Sequence, residues 1–167
     1  MKKFIFDLDW TLYNRRDNID ESSNEAYYNS FKRKPFLKNL LKELKEDIYI
    51  FTNGNTIHAV EVLTRLGLKE LFPNERIISR DNIKYLKPHP IGYYKVIQDF
   101  KISRTDEVYF FEDTIQNLLM AKKLGWKTIL ISDHKTEYCN YIDYTFSHIE
   151  EALLFFLVKK KFEKNIF

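Results

Sequence analysis

Two aspartates, Asp7 and Asp9, follow the apolar run Lys3-Phe4-Ile5-Phe6 at a spacing of two, so extended backbone puts their carboxylates on one side. Paired carboxylates repel, and a divalent cation relieves them. An all-oxygen site with few protein ligands and a phosphate suits magnesium better than zinc. Asp113, just past a second apolar run from Val108 to Phe111, can add a third carboxylate. Thr52 and Asn53 stand where a third run, Ile48 to Phe51, gives way to a helix starting near Thr56. There a hydroxyl, a side-chain amide and free backbone N–H groups can converge on an anion, although Asn55 or Thr56 can also serve as ordinary helix caps. Lys87 is followed by Pro88 and Pro90, whose restriction of the backbone holds its ammonium ahead of the next helix. Carboxylates, an anion-binding hydroxyl and a fixed lysine together point to chemistry on a phosphate.

The elements that must position these groups alternate. Strand-length apolar runs at Lys3 to Phe6, Ile48 to Phe51, Val108 to Phe111 and Thr128 to Ile131, with weaker ones near Ile77 and Tyr144, are interleaved with segments of helical periodicity. Helices are expected from Pro35 through Leu37, Leu40, Leu41 and Leu44, from Thr56 to Leu66, from Ile91 to Phe100, from Ile115 to Leu124 and from Ile149 to Val158. Continuous apolar strands are buried on both faces. The expected fold is therefore α/β, a doubly wound and mostly parallel Rossmann-like sheet with helices on both faces. Ligands of such sheets bind beyond the carboxyl ends of the strands, where Asp7, Asp9, Thr52, Asn53, Glu112 and Asp113 all fall.

At 167 residues the chain fits a single domain over 1–167, in which the polar stretch Tyr13 to Lys34 is the one long insertion, read as a flap. A single cysteine, Cys139, excludes an internal disulfide and fits a reducing, cytoplasmic setting. Asp7 and Asp9 interrupt any signal-like start, and the longest apolar stretch, Ala152 to Val158, falls far short of the ~20 residues that cross a bilayer. The net charge of +3 is too small to demand a nucleic-acid partner, though it leaves one open. His58, His89, His134 and His148 lack metal-ligand spacing and read as surface or packing residues, with only His89 close to the expected site. Lys159-Lys160-Lys161 reads as the end of the last helix, where positive charge suits the dipole.

Taken in order, Phe6-Asp7-Leu8-Asp9-Trp10-Thr11-Leu12, Phe51-Thr52-Asn53, Lys87-Pro88 and Phe111-Glu112-Asp113 resemble the four signature motifs of the haloacid dehalogenase-like (HAD) superfamily of phosphotransferases, over residues 3 to about 132. Thr11-Leu12-Tyr13, Phe51-Thr52-Asn53-Gly54, Lys87-Pro88-His89-Pro90 and Glu112-Asp113-Thr114 with Asn117 are further similar to the branch containing pyrimidine 5'-nucleotidases. The resemblance implies a magnesium-dependent phosphomonoester hydrolase with Asp7 as nucleophile and Asp9 as acid and base. It makes Thr52, Asn53 and Lys87 the phosphate-binding groups. Asp7, Asp9 through its backbone carbonyl, and Asp113 become the magnesium ligands, and Glu112 a further ligand or an orienter. Asp9 itself separates phosphatases from the family's true dehalogenases, which lack that second aspartate.

Two departures stand out. Trp10 puts a large ring beside the catalytic loop, either to stack on a leaving group or to pack. Small-metabolite hydrolases of the family commonly carry a helical cap domain between the first two motifs, and Tyr13 to Lys34 has room only for a reduced cap or flap. The motifs thus suggest a small phosphorylated substrate such as a nucleotide, and the short insertion suggests a macromolecular one, a nucleic-acid end or a phosphoprotein. Two readings of another class remain, a receiver-like phosphate acceptor and a catalytically inactive phosphate-binding module.

Overall fold

Residues 1–134 and 139–165 are described by the computed structural model of the chain. Six strands form one wholly parallel sheet: β1 Lys2–Phe6, β2 Asp47–Phe51, β3 Ile77–Ile78, β4 Glu107–Glu112, β5 Lys127–Ile131 and β6 Tyr144–Phe146. Their order is β3-β2-β1-β4-β5-β6. The four strong apolar runs and both weak ones are strands, each within about a residue of the expected bounds.

Alternation along each strand builds two cores. Phe4 and Phe6 of β1, with Tyr109 and Phe111 of β4, face one side of the sheet, while Ile5, Val108 and Phe110 face the other. Helices α2 (Pro35–Leu44), α3 (Thr56–Arg65) and α6 (Ile149–Asn165) cover the first side, and α4 (Pro90–Asp99) and α5 (Ile115–Lys123) the second. The chain winds from β1 outward to β3, then returns across the sheet to β4. That reversal opens a crevice at the carboxyl ends of β1 and β4, the topological switch point of a doubly wound sheet. The order also differs from the 2-1-3-4-5 winding of receiver domains, so that reading falls.

The segment from Tyr13 to Lys34 holds one short helix, α1 (Asn24–Ser30), capped by Ser23, after a single turn at Arg15–Asp17. It has no core of its own. Phe31 is 8% exposed and meets Tyr13 edge-on at 4.8 Å, so the segment packs into the first core.

One expectation about the last helix is corrected. α6 runs on to Asn165, so Lys159-Lys160-Lys161 lies inside it. Lys160 instead donates to the Leu44 carbonyl at 2.6 Å and pairs with Glu46, placing its charge at the carboxyl end of α2.

Phe156 ties α6 to the sheet. Its ring is 5.1 Å from Tyr109, 5.8 Å from Phe111 and 5.4 Å from Tyr144, and it is 5% exposed. Phe156→Ala should cost ~3–5 kcal/mol, read as a lower urea midpoint at unchanged slope.

Candidate active site

β1 ends at Phe6, but the ladder continues one step because the Asp7 N–H donates to the Phe111 carbonyl at 2.9 Å. Asp7 is thereby pinned at the switch point, 6% exposed. Lys87, 5% exposed, reaches it from the segment before α4. Its Nζ donates to Asp7 Oδ1 at 2.7 Å, to Glu112 Oε2 at 2.7 Å and to the Phe51 carbonyl at 2.8 Å, using all three ammonium donors. Burial would lower the Lys87 pKa, but the two carboxylates hold the ammonium above its ordinary value.

Glu112 is 1% exposed and fully subscribed. Its Oε1 accepts from the backbone N–H groups of Asp113 and Thr114, both at 3.0 Å. Its Oε2 accepts from Lys87 and from Asn117 Nδ2 at 3.1 Å. Burial alone would raise its pKa, yet Lys87 and these donors hold it below the usual carboxylate range. With its lone pairs so committed, Glu112 is built to fix Lys87 and the β4–α5 turn.

Asp113 is half-buried beside these groups, and carboxylate oxygens of Asp7, Glu112 and Asp113 lie within 4.8 Å of one another. Three carboxylates face a single buried cation, Lys87, and the donors are all oxygen. This arrangement fits a hard divalent cation held by Asp7 and Asp113.

Thr52 is 1% exposed, and its hydroxyl oxygen accepts from the Gly54 N–H at 3.0 Å, leaving the hydroxyl proton to donate toward an anion. Asn53 works differently from the expectation for its side chain. The amide Oδ1 accepts from the Lys87 N–H at 2.9 Å and Nδ2 donates to the Lys87 carbonyl at 3.1 Å, so this amide clamps the lysine's backbone. The start of α3 is likewise occupied: Asn55 Oδ1 accepts from the His58 N–H at 2.7 Å, and Asp81 accepts from the Thr56 N–H at 2.8 Å. Of the side chains expected to converge on an anion there, the Thr52 hydroxyl keeps a donor to spare at the cavity wall.

All seven expected residues, Asp7, Asp9, Thr52, Asn53, Lys87, Glu112 and Asp113, line one cavity of about 180 Å³. Trp10, in the left-handed region at φ 60°, lies against Tyr13 with ring centres 5.3 Å apart. Together with Asp113 it also lines a neighbouring cavity of about 610 Å³. It is therefore both a packing residue and the wall between two cavities.

Asp9 turns its side chain toward Tyr13 and α3. Its Oδ1 accepts from the Tyr13 hydroxyl at 2.7 Å and contacts His58 Nε2 at 2.6 Å. Burial, then the charge of Asp9, raises the Tyr13 pKa far above its ordinary value, so that hydroxyl is a donor. The reading of His58 as a surface or packing residue is thus corrected: it touches the second aspartate across a sequence separation of 49. His89, expected to be the histidine nearest the site, instead caps α4 by accepting from the Ile91 N–H at 3.3 Å.

Burial pushes the Asp7 carboxyl up to about 7, with the Glu112 charge adding and Lys87 opposing. Burial also pushes Asp113 up to about 8, with Glu112 adding again. Both carboxyls hold their protons more tightly folded than unfolded. Their stabilising contribution is complete below the ordinary value of 3.8 and is lost as pH rises through about 7 and 8. In EDTA the melting temperature should therefore fall as pH rises from about 4 and level off above about 8, and magnesium should restore more of it at the higher pH. Asp113→Asn should flatten that pH dependence and weaken the magnesium-induced rise, both read by thermal melts.

Comparison with known proteins identifies the family and the fold. The model of the haloacid dehalogenase-like hydrolase family matches residues 23–125. A glyceraldehyde 3-phosphate phosphatase of Pyrococcus furiosus is 27% identical over 140 residues, which cover 77% of this chain and 58% of that protein. A second of the same name from Pyrococcus abyssi is 27% identical over 89 residues, covering 53% of this chain and 37% of that one. The chain thus spans less than two thirds of the length of these relatives. Among solved structures, a HAD phosphatase from Thermococcus onnurineus superposes with a TM-score of 0.73 at 17% identity, covering 93% of this chain and 98% of that one. The L-2-haloacid dehalogenase of Xanthobacter autotrophicus with chloropropionic acid covalently bound gives 0.73 at 16%, with the same coverage. At these identities the structural likeness speaks to the fold. A six-stranded parallel sheet of this winding, an acidic cluster at its switch point and a family match over more than half of the sequence lead to one conclusion: the chain belongs to the haloacid dehalogenase-like hydrolases.

Proposed function

We propose that the protein is a magnesium-dependent phosphomonoester hydrolase working through an aspartyl-phosphate on Asp7. The observation that carries this reading is the buried Lys87 ammonium held 2.7 Å from both Asp7 and Glu112 beside the half-buried Asp113, with the Thr52 hydroxyl proton free across the same cavity. The Asp7 carboxylate attacks phosphorus in line, and the bond from phosphorus to the ester oxygen breaks as the new one forms. Asp9 gives its proton to the departing oxygen. It then takes a proton from the water that attacks the aspartyl-phosphate, releasing phosphate and regenerating Asp7. Thr52 holds a phosphoryl oxygen, Lys87 balances the charge that builds up there, and Asn53 fixes the backbone of Lys87. Asp7, Asp113 and the backbone carbonyl of Asp9 would hold magnesium, which when bound offsets the negative charge of phosphate and nucleophile.

On substrate, the curated relatives favour a small phosphorylated metabolite, since both are named for a triose phosphate. The adjoining cavity of about 610 Å³ is the size of an ordinary small-molecule site. Asn14, Ser132, Arg15, Glu21, Asp113 and Asp133 in its wall supply many hydrogen-bonding groups and an excess of acid over Arg15. Such a wall suits an uncharged, hydroxyl-bearing leaving group better than a second phosphate. Nucleotides come second, because the local motif likeness finds no echo in the names of these relatives. In this reading residues 13–34 are a reduced cap over one catalytic domain. The macromolecular alternative rests on the short insertion, which contributes only one α-helix, α1, and a single 3-10 turn among the described residues.

The test is magnesium-dependent phosphate release from p-nitrophenyl phosphate, triose phosphates, mononucleotides, phosphopeptides and phosphorylated oligonucleotides. Triose phosphates should be preferred, EDTA should stop turnover, Asp7→Asn should abolish it and Asp9→Asn should lower it ~10²–10⁴-fold. Full activity of Asp7→Asn would sink the mechanism, and a preference for oligonucleotides or phosphopeptides would make the short insertion the specificity determinant.

A further inference from the structure

His58 stands in the first turn of α3, far in sequence from the aspartate it touches. Asn55 sets the start of that helix by capping the His58 N–H, and Tyr28 of α1 fixes the ring from the other side, its hydroxyl 2.9 Å from Nδ1. With Asp9 as a carboxylate, which offers only acceptors, the close contact between Nε2 and Oδ1 puts the proton on Nε2. Neutral imidazole then accepts at Nδ1 from the Tyr28 hydroxyl, and the cation would donate to its oxygen. In either form Nε2–H faces Asp9.

Gly54 makes room for this contact. A Cβ at that position would lie 2.8 Å from His58 Cδ2 and 3.4 Å from both Asp9 Oδ2 and Thr52 Oγ1. The imidazole, the second oxygen of Asp9 and the phosphate-binding hydroxyl therefore meet over one bare backbone position. Two donors, Tyr13 and His58, occupy Oδ1 and use both of its lone pairs. A proton on this carboxyl must then ride on Oδ2, the oxygen on the Thr52 side.

We propose that His58 is a positioning residue for Asp9: with Tyr13 it ties down Oδ1, so that Oδ2 is the oxygen that exchanges the proton with the leaving group, and Tyr28 orients the imidazole for that task. The inference rests on Asp9 being the acid and base of the proposed hydrolysis. It gives α1 a role in chemistry, since this short helix brings the tyrosine that steadies the ring.

Esters that differ in their need for an acid separate this role from a merely structural one. An alkyl leaving group such as glycerol needs its oxygen protonated, whereas p-nitrophenolate departs without help. The ratio kcat/KM reads only the steps up to that departure. His58→Ala should lower kcat/KM on the order of 10²-fold for glycerol phosphate and less than about 3-fold for p-nitrophenyl phosphate. His58→Gln, which restores an N–H donor, should regain part of the loss, and Tyr28→Phe should show the same selectivity in milder form. In metal-free protein, imidazole ¹⁵N shifts should show Nε2 protonated in the wild type, and Tyr28→Phe should move the Nδ1 signal. Equal losses on the two esters, no loss, or a bare Nε2 would each overturn the proposal. A wild type silent toward both esters would overturn the hydrolase reading, and the positioning role with it, while the ¹⁵N spectra would still decide whether the contact exists.

Discussion

One buried ammonium between two buried carboxylates governs this molecule. Taking Lys87, Asp7 and Glu112 out of water is expensive, and their attraction repays it only if every donor and acceptor is matched. They are matched: three donors on Lys87 meet Asp7, Glu112 and the Phe51 carbonyl, Glu112 Oε2 also accepts from Asn117, and its other oxygen accepts from two backbone N–H groups. The partners come from β1, β2, the segment before α4, β4 and α5. Assembling the charge cluster therefore requires the sheet to be in register and the crossovers to be complete. Fold and site are one construction here.

The cluster also explains the division of labour around it. Glu112 and Asn53 look like ligands by residue type, but both are consumed in holding Lys87, one by its side chain and the other by its backbone. The groups left with unspent capacity are Asp7, Asp113, the Thr52 hydroxyl and one oxygen of Asp9. That residue of unmatched polarity, all of it facing one cavity, marks where a ligand must complete the hydrogen bonding.

Much of this was legible in the sequence because its signals are local. Strands buried on both faces must be continuously apolar, so Val108 to Phe111 or Thr128 to Ile131 announces itself. Asp7, Thr52 and Asp113 follow such runs directly, and the sheet topology delivers every strand end to one edge. What stayed hidden depends on long-range geometry. The contact of His58 with Asp9 spans 49 residues and needs α3 to start at a particular rotation, which metal-ligand spacing does not encode. A histidine in the first turn of the helix after a site-bearing strand end, behind a glycine, was the available signal. Lys160 misled for a similar reason: a basic triplet near a chain end resembles a helix terminus, and only the packing of α6 along α2 reveals the carbonyl it serves.

The way the segment from Tyr13 to Lys34 is anchored bears on the fate of a reaction intermediate. Phe31 and Tyr13 belong to the main core, so this segment cannot swing away and close again as a hinged lid would without exposing buried rings. A hinge motion of this segment therefore does not open and close the cleft over Asp7. Under the proposed mechanism, this segment does not close over an acyl phosphate formed there to keep water away while a second alcohol is brought into place. A fixed segment of this kind favours hydrolysis over moving the phosphoryl group between two organic hydroxyls, which would need the intermediate kept from water.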